Sequence, residues 1–245
     1  MQPASPTIPD NEASRLAAIR DHAILDTPPD GTFDRITRMA SALFQVPISI
    51  VSIVDHDRIW FKSRHGLEVE QIGRDPGLCA SAILEDEIWL IENARTDPRA
   101  LANPLVAGEF GLQFYAGAPL TMKGGFNFGT LCIIDHEPRT LTPAEREVLN
   151  DLAAIVVDEM ELRYAARQVA ADAQFRVELA ERRSHQVTQL NDDVVQCLAV
   201  AKLALELDEP SKALPSIDRA LIASKQLLSS MLDESQPLRR TRPSV

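Results

Sequence analysis

The side chains best suited to chemistry in this sequence are its three cysteines. Cys79 precedes Ala80 and Ser81, where a short helix is expected to begin, and Cys132 lies between apolar neighbours on an expected strand. A thiolate of low pKa attacks an oxidised sulfur if a second cysteine lies within disulfide reach to resolve the product. Buried free cysteine also behaves as a small hydrophobe, so packing is the alternative role for Cys132. The cysteines therefore indicate either thiol chemistry or core filling.

The other titratable side chains point to no metal, and the sequence names no cofactor. Asp192 and Asp193 could hold a metal or a phosphate, but a solvated polar cap on a helix is the alternative. Five histidines are scattered along the chain without ligand spacing on a helix and without partner cysteines, so a zinc site is not expected; they are His22, His56, His65, His136 and His185.

The glycine pattern argues against a nucleotide site. No glycine follows Gly129, and no Gly-x-x-x-x-Gly-Lys-Ser/Thr motif occurs in the chain. Transfer of phosphate from ATP to this chain is therefore not expected, and any output enzyme would be another protein. The sequence is interpreted as that of a protein that is not an enzyme.

Composition and charge narrow the possible partners. The net charge of −11 argues against nucleic acid and against anionic membrane surfaces, because both require a basic face. No apolar run approaches the roughly 20 residues of a membrane span. An odd number of cysteines without a C-x-x-C motif is typical of the reducing cytoplasm. Residues 1–10 and the basic tail at residues 235–245, with Arg239, Arg240 and Arg242, are expected to be disordered.

The elements that must position the cysteines follow from the hydrophobic pattern. Apolar residues at helical spacing predict helices around residues 11–24 and 33–43, separated by a turn at the two prolines Pro28 and Pro29. A short helix is expected at residues 79–84, and residues 97–111 are expected to form a long loop. Runs rich in β-branched and apolar residues predict strands at residues 48–54, 59–63, 89–91, 113–121 and 129–135.

From Pro143 onward the pattern changes to long helices. Thr142 as N-cap and Pro143 in the first turn begin a helix, and no proline follows until Pro210. A turn at residues 208–211 leads into a return helix. Its apolar positions are Leu214, Ile217, Leu221, Leu227, Leu228 and Met231.

The order of these elements over residues 11–165 resembles that of a GAF domain, of the kind that precedes output domains in bacterial sensors. The stretches that carry the resemblance are Leu25-Asp26-Thr27-Pro28-Pro29, Val51-Ser52-Ile53-Val54-Asp55, Trp60-Phe61-Lys62-Ser63-Arg64-His65-Gly66-Leu67, Asn103-Pro104-Leu105-Val106, Phe114-Tyr115-Ala116-Gly117-Ala118-Pro119-Leu120 and Gly129-Thr130-Leu131-Cys132-Ile133-Ile134-Asp135. GAF domains bind cyclic nucleotides, tetrapyrroles or other small molecules, so the resemblance implies a fold and leaves the ligand open.

The GAF resemblance implies a ligand pocket. Its expected lining is Trp60, Phe61, Cys79, Phe114, Tyr115 and Cys132. Some GAF proteins reduce free methionine sulfoxide with cysteines in this region, which makes Cys79 a candidate nucleophile, although the cysteine spacing of those reductases is absent. The alternative is that several of these side chains fill the core.

The stretch from Leu190 to Leu198 resembles the dimerisation helix of the NarL-linked histidine kinases. The family motif, Leu-His-Asp-x-Val-x-Gln-x-Leu, is met at every position except the histidine, where this chain has Asn191. An amide nitrogen is not basic and cannot accept the γ-phosphate of ATP as imidazole does. Asp192 matches the acidic residue that follows the histidine. The resemblance implies a kinase-like stem that has lost its phosphoacceptor.

Together these observations predict an α+β protein, with an antiparallel sheet flanked by helices, a long signalling helix and a helical hairpin that dimerises as a four-helix bundle. The expected domains are the GAF domain at residues 11–165, a signalling helix at 166–185 and the hairpin at 186–234. The expected interface of the homodimer is Leu190, Val194, Leu198, Ala201 and Leu205.

The function predicted is that of a cytoplasmic sensor that binds a small molecule or reports redox state. The stem would pass this state to a response regulator or a histidine kinase. Two alternatives stay open: a small-molecule redox enzyme that uses Cys79, and a structural dimer whose pocket is filled by its own side chains.

Overall fold

The computed structural model describes residues 8–75, 77–101 and 103–233, with side chains described as far as residue 229. The expected disorder of residues 1–7 and of the basic tail lies outside these ranges. In chain order the elements are α1 Glu12–His22, α2 Gly31–Phe44, β1 Ile48–Val54, β2 Arg58–His65, β3 Gln71–Gly73, α3 Leu78–Ala82, β4 Trp89–Ile91, α4 Pro104–Ala107, β5 Phe114–Thr121, β6 Asn127–Asp135, α5 Pro143–Glu206 and α6 Pro210–Asp233.

The strands form one antiparallel sheet in the order β3-β2-β1-β6-β5-β4. The central strand β1 is buried along its whole length, which explains why it reads as a continuous β-branched run. On one face, α1, α2 and the first part of α5 cover a core that includes Phe33, Phe114 and Leu152. On the other face, α3 and the segments around it cover a second core that includes Tyr115 and Cys132. Side chains of neighbouring strand residues therefore enter different cores.

A β-bulge interrupts the pairing of β1 with β2. Ser63 pairs with Val51 and Phe61 pairs with Ser52, so Lys62 has no partner of its own. A bulge changes the direction in which a strand residue points. Alternation from Trp60 places Lys62 on the α1–α2 side of the sheet, where it bonds Thr27, and the bulge brings Ser63 to the same side, where it bonds Asp34.

The predicted antiparallel sheet with flanking helices and a long helix after it is confirmed. Two short elements were not predicted: β3 and α4, which fall in segments expected to be loops. Three or four residues are too few to show a hydrophobic period. β3 forms because it pairs with β2, whereas α4 is initiated locally by the Asn103 side chain, which accepts the Leu105 amide.

The described residues divide into two compact units at Arg167 and Gln168. α5 contains residues of both, and no break separates the expected signalling helix from the expected stem helix. In the second unit, the last part of α5 packs against α6 through Ala201, Ala204 and Ala213. The predicted dimeric bundle stays a prediction. No helix within the described ranges has the length and apolar character needed to cross a membrane.

Candidate functional site: a buried pair of thiols

Cys79 and Cys132 are brought together on the α3 face of the sheet. α3 carries Cys79 and packs on β6, which carries Cys132. Both thiols are buried, with 5% exposure for Cys79 and none for Cys132. Each thiol is a main influence on the pKa of the other, so the two sulfurs lie close together in this core. The structure therefore supplies the proximity that thiol chemistry requires and that a separation of 53 positions in the sequence could not indicate.

The two thiols are electrostatically different. The hydrogen bond from Cys132 lowers the pKa of Cys79 against the effect of burial, and hydrogen bonds from Ser52, Thr130 and Tyr115 lower it further. The bond to Cys79, together with burial, raises the pKa of Cys132. Cys79 is thus the thiol that ionises first, and Cys132 is the donor that stabilises its thiolate.

Tyr115 extends the polar contacts of Cys79 across the sheet. Its hydroxyl donates to Cys79 Sγ at 3.4 Å and lies 3.4 Å from Thr130 Oγ1. Thr130 Oγ1 is in turn 3.0 Å from Ser52 Oγ on the neighbouring strand. Burial, followed by the charges of the two cysteines, raises the pKa of Tyr115 well above its usual value, so the phenol keeps its proton and acts as a donor.

A glycine makes room for this tyrosine. Gly117 lies two residues after Tyr115 on the same face of β5, and a Cβ there would lie 2.5 Å from the Tyr115 hydroxyl. The ring folds over this gap, and Trp89 packs edge-on against it with the ring centroids 5.6 Å apart. The Tyr115–Cys79 contact therefore depends on the absence of a side chain at Gly117.

The six residues predicted to line one pocket are divided between the two faces of the sheet. Phe61, Cys79, Tyr115 and Cys132 lie in the core under α3, but Trp60 and Phe114 lie in the core against α1, α2 and α5. The reason is the two-residue period of a strand, because Trp60 and Phe61 are neighbours, as are Phe114 and Tyr115. Trp60 and Phe114 are therefore not part of the thiol site.

Two residues of the site were not predicted. Ser52 and Thr130 are hydrogen-bonded to each other beside Tyr115 and the thiols. Both were named only within the stretches that carry the GAF resemblance. Thr130 lies two residues before Cys132 on one strand, so the alternation itself could have found it. Ser52 depends on the pairing of β1 with β6, which no local pattern gives.

Side chains fill the α3 face around the thiols. Leu112, Trp89 and Ile91 are buried in the same core as Cys79, so a ligand there would have to displace them. No group of three or more His, Cys, Asp or Glu side chains that could hold a metal occurs in the part of the chain that the structure describes. The chemistry that this site offers is that of a dithiol.

The predicted interface residues of the stem are also divided. Ala201 is buried inside the hairpin and Leu190 and Val194 are half-buried, whereas Leu198 and Leu205 are exposed. The Ala201 side of the helix packs against α6 within the hairpin, and the dimer interface predicted from these five residues stays a prediction. Asn191 and Asp192 are exposed at the start of this segment.

Comparison with known proteins identifies the first unit. The family model described as GAF domain matches residues 28–159, which is more than half of the chain. A cyclic di-GMP phosphodiesterase of Pseudomonas aeruginosa is 43% identical over 145 residues, which are 59% of this chain and 24% of that protein. The chain thus spans about a quarter of the length of this relative.

Two solved GAF domains are similar at lower identity. One belongs to a phosphoenolpyruvate-protein phosphotransferase of Coxiella burnetii, at 18% identity and a TM-score of 0.48, covering 66% of this chain and 97% of that one. The other is the blue-light absorbing form of the PixJ GAF domain of Thermosynechococcus elongatus, at 16% identity and a TM-score of 0.48, covering 66% and 96%. A likeness of this size carries no functional argument.

The Pseudomonas relative corrects one prediction. The chain was interpreted as non-catalytic because it lacks an ATP motif, yet this relative, with nearly half of its matched residues identical, is named as an enzyme. The lack of a phosphoacceptor histidine argues against phosphate transfer from ATP, but it does not argue against other reactions. The interpretation of the chain as non-catalytic was therefore wrong. The coarser prediction of a sensor is confirmed: the chain belongs to the GAF domain family and contains a GAF signalling sensor domain.

Proposed function

We propose that this chain is a dimeric signalling protein whose GAF domain senses thiol redox state through Cys79 and Cys132. The observation that carries the proposal is the pair of thiols buried close together in one core, of which Cys79 has a lowered pKa and accepts a hydrogen bond from Tyr115. Burial of both sulfurs suits a small oxidant such as hydrogen peroxide better than a large substrate.

One molecule of hydrogen peroxide supplies the oxidant for one Cys79–Cys132 disulfide. The Cys79 thiolate attacks one peroxide oxygen, the O–O bond breaks, and the leaving hydroxide takes a proton to become water. The sulfur of Cys132 then displaces water from the Cys79 sulfenic acid, forming the S–S bond as its own thiol proton is transferred to the leaving oxygen. Two thiols are oxidised and one peroxide is reduced to two waters.

The sheet provides a path from the thiols to α5. Cys132 lies between Leu131 and Ile133, which point to the opposite core and share it with Leu152 and Val156 of α5. A disulfide to Cys79 would pull on β6 and change this packing. We propose that the stem passes the change to an output enzyme, and the Pseudomonas relative, named as a phosphodiesterase, supports an enzymatic output.

The stem has the surface that a second copy would cover. The hairpin core holds alanines, while large apolar side chains at seven-residue spacing are exposed: Leu198 and Leu205 on α5, and Leu214, Leu221 and Leu228 on α6. Each of these leucines comes one residue after a position that faces the other helix of the hairpin. Because α5 and α6 are antiparallel here, this one-residue offset places all five leucines on the same face of the hairpin. Burying a leucine contributes about 1.5–3 kcal/mol. Two such faces would form a four-helix bundle.

The kinase-like motif suggests the partner. Asn191 lies seven residues before Leu198, and Asp192 and Gln196 are exposed beside it. This is the position at which a histidine-kinase stem presents its phosphoacceptor, so the proposed partners are a response regulator that docks without phosphotransfer and a kinase that shares the stem. A pull-down with the wild-type chain and an Asn191→Lys, Asp192→Lys variant tests this. Specific loss of a receiver-domain protein or a kinase supports the proposal, and recovery of neither contradicts it.

The redox proposal is tested by treating the full chain with hydrogen peroxide and mapping disulfides by mass spectrometry. We expect a Cys79–Cys132 disulfide that dithiothreitol reverses, and its loss in Cys79→Ser and in Cys132→Ser. Cys197→Ser is the matched control, because it removes a thiol from the hairpin and should leave the disulfide intact. Oxidation confined to Cys197, or no disulfide at all, would contradict the proposal.

A second candidate function is reduction of a small oxidised thioether, with Cys79 as nucleophile and Cys132 as resolving thiol. The same difference in pKa between the two thiols favours it, because an attacking thiolate and a protonated partner are what this reaction requires. Turnover of free methionine sulfoxide with a thiol reductant, abolished by Cys79→Ser, would support it. Absence of turnover, with the disulfide still forming, would leave sensing as the function.

A further inference from the structure

A cavity lies on the face of the sheet opposite the cysteines. Its volume is about 260 Å³, and it is bounded by the segment that joins α1 to α2, by β2 and β6, and by the part of α5 that ends the first unit. The residues that give it its chemical character are His22, Lys62, Phe128, Met160, Arg163 and Arg167.

Lys62 is a nearly buried cation in this cavity with neutral partners. It lies two residues after Trp60 on the same face of β2, and its Nζ donates to Thr27 Oγ1 at 2.7 Å and to the Pro28 carbonyl at 2.8 Å. Only 4% of the residue is exposed. Burial lowers its pKa, and the charges of Arg163 and Arg167 lower it further, while the carboxylates of Asp30 and Asp34 act in the other direction.

The two arginines add charge that the surrounding carboxylates only partly balance. Arg163 is paired with Asp30 and with Glu159. Arg167 donates to the carbonyls of His22 and Ala23, at 2.6 and 2.8 Å, both at the end of α1. Among the described residues, neither Lys62 nor Arg167 lies within salt-bridge distance of a carboxylate. The cavity therefore has an excess of positive charge.

The cavity also has an unsatisfied polar atom and an apolar wall. His22 Nδ1 bonds the Ala18 carbonyl, and the ring stacks on Tyr164 with centroids 4.0 Å apart. Its buried Nε2 has no partner within the described residues, a state that buried polar atoms rarely adopt without a ligand or water. Ile24, Phe128 and Met160 supply apolar surface beside these groups.

We propose that this cavity binds a small organic anion, with a carboxylate against Lys62 and Arg167 and a compact apolar body against Phe128 and Met160. At about 30 Å³ for each water-sized volume, the cavity holds on the order of ten non-hydrogen atoms. Such a ligand would connect α5 to the α1–α2 segment at the point where α5 leaves the first unit. The site is independent of the thiols and of the function proposed for them.

The test is binding of benzoate to the full chain, by calorimetry and by thermal shift, with the neutral benzamide and inorganic phosphate as comparison ligands. We expect benzoate to bind and to raise the melting temperature, benzamide to have no effect, and phosphate to bind more weakly because it leaves the apolar wall uncovered. Arg167→Gln should weaken benzoate binding at least tenfold, and Arg167→Lys should retain most of it.

Arg176→Gln is the matched control. It removes the same charge from α5, at an exposed arginine paired with Asp172, and should bind benzoate as the wild type does. Equal losses in Arg167→Gln and Arg176→Gln would show general electrostatics and overturn the site. So would equal binding of benzoate and benzamide, or no binding of benzoate by the wild type. Phosphate binding as tight as that of benzoate would overturn the role of the apolar wall.

Discussion

The GAF unit and the helical hairpin bury opposite kinds of side chain. In the GAF unit, the cores on both faces of the sheet hold large residues that are fully enclosed, among them Phe33 and Phe114 on one face and Tyr115 on the other. In the described part of the hairpin, the enclosed residues are alanines and Ser216, and most of the leucines are exposed. Because stability scales with the apolar area removed from water, the first unit has a complete core and the second does not. We therefore expect the GAF unit to fold by itself, and we expect the proposed dimer to supply the apolar contacts that the hairpin lacks.

The largest expected effect breaks the core of the GAF unit. Phe114→Ala removes a fully buried ring that packs between the sheet and its helices, and such truncations cost about 3–5 kcal/mol. Urea unfolding at several protein concentrations should show the same loss at each. Leu162→Ala is the control, because Leu162 is exposed and its truncation should cost little. A small loss for Phe114→Ala would mean that this core is not well packed.

The next largest effect is expected on the proposed dimer of the hairpin, while the GAF unit should stay folded. Leu198→Asp with Leu221→Asp places carboxylates in the proposed dimer face, and burial of an unpaired charge costs several kcal/mol. We expect the dissociation constant of the dimer to rise by at least about a hundredfold.

Light scattering at micromolar concentration distinguishes the outcomes. The wild type should be a dimer and the double variant a monomer that still unfolds cooperatively. Leu203→Asp introduces the same charge on another side of α5 and should stay dimeric. A monomeric wild type, or dissociation by Leu203→Asp alone, would contradict the proposed face.

A smaller effect tests how closely the side chains of the GAF unit pack around Tyr115. Gly117→Ala places a methyl group 2.5 Å from the Tyr115 hydroxyl, and overpacking of this kind costs about 1–3 kcal/mol. The displaced hydroxyl should no longer bond Cys79, so the pKa of Cys79 should rise. Alkylation rates measured against pH, in a Cys197→Ser background, report that change.

Gly124→Ala is the control for this variant. The nearest atom to the added methyl group there is 3.4 Å away, which is an ordinary contact, so stability and the alkylation profile should stay unchanged. If Gly117→Ala also changed neither, the close fit of Tyr115 over Gly117 would be disproved.

The smallest expected effect concerns acid. Burial opposes ionisation of Glu12, but hydrogen bonds from Arg15 and Arg74 outweigh it and lower its pKa to about 2. A depressed carboxyl pKa stabilises the fold above the pKa of the unfolded chain, near 4.5, and that contribution is lost as the pH falls toward 2. Unfolding curves should therefore show that Glu12→Gln is less stable than the wild type at pH 6 and that the difference shrinks at pH 3.

The hairpin provides the comparison for the effect of acid. Its ion pairs, such as Lys202 with Glu206, are exposed, so Glu206→Gln should change stability little at either pH. A gap between Glu12→Gln and the wild type that stayed constant from pH 6 to pH 3 would contradict the assignment of a low pKa to Glu12.

The sequence predicted more of the fold than of the site. The strands and long helices follow from local patterns, such as the β-branched run of β1 and the capping of α5 at Thr142. The candidate site was predicted in part: Cys79, Tyr115 and Cys132 lie together, but Trp60 and Phe114 lie on the other face. Ser52 was missed because its role comes from a neighbouring strand, and β3 because three residues show no period.

What the sequence determines alone is the conformation of each segment and the residues that share one of its faces, because both depend on neighbours along the chain. What only the tertiary structure decided is which face meets which partner. It placed Cys79 beside Cys132, brought Lys62 and Arg167 to one cavity, and turned Ala201 inward and Leu198 outward. Those outcomes depend on packing between residues far apart in sequence. The two-residue period of a strand and the 3.6-residue period of a helix show which residues share a face, but they do not show what that face packs against.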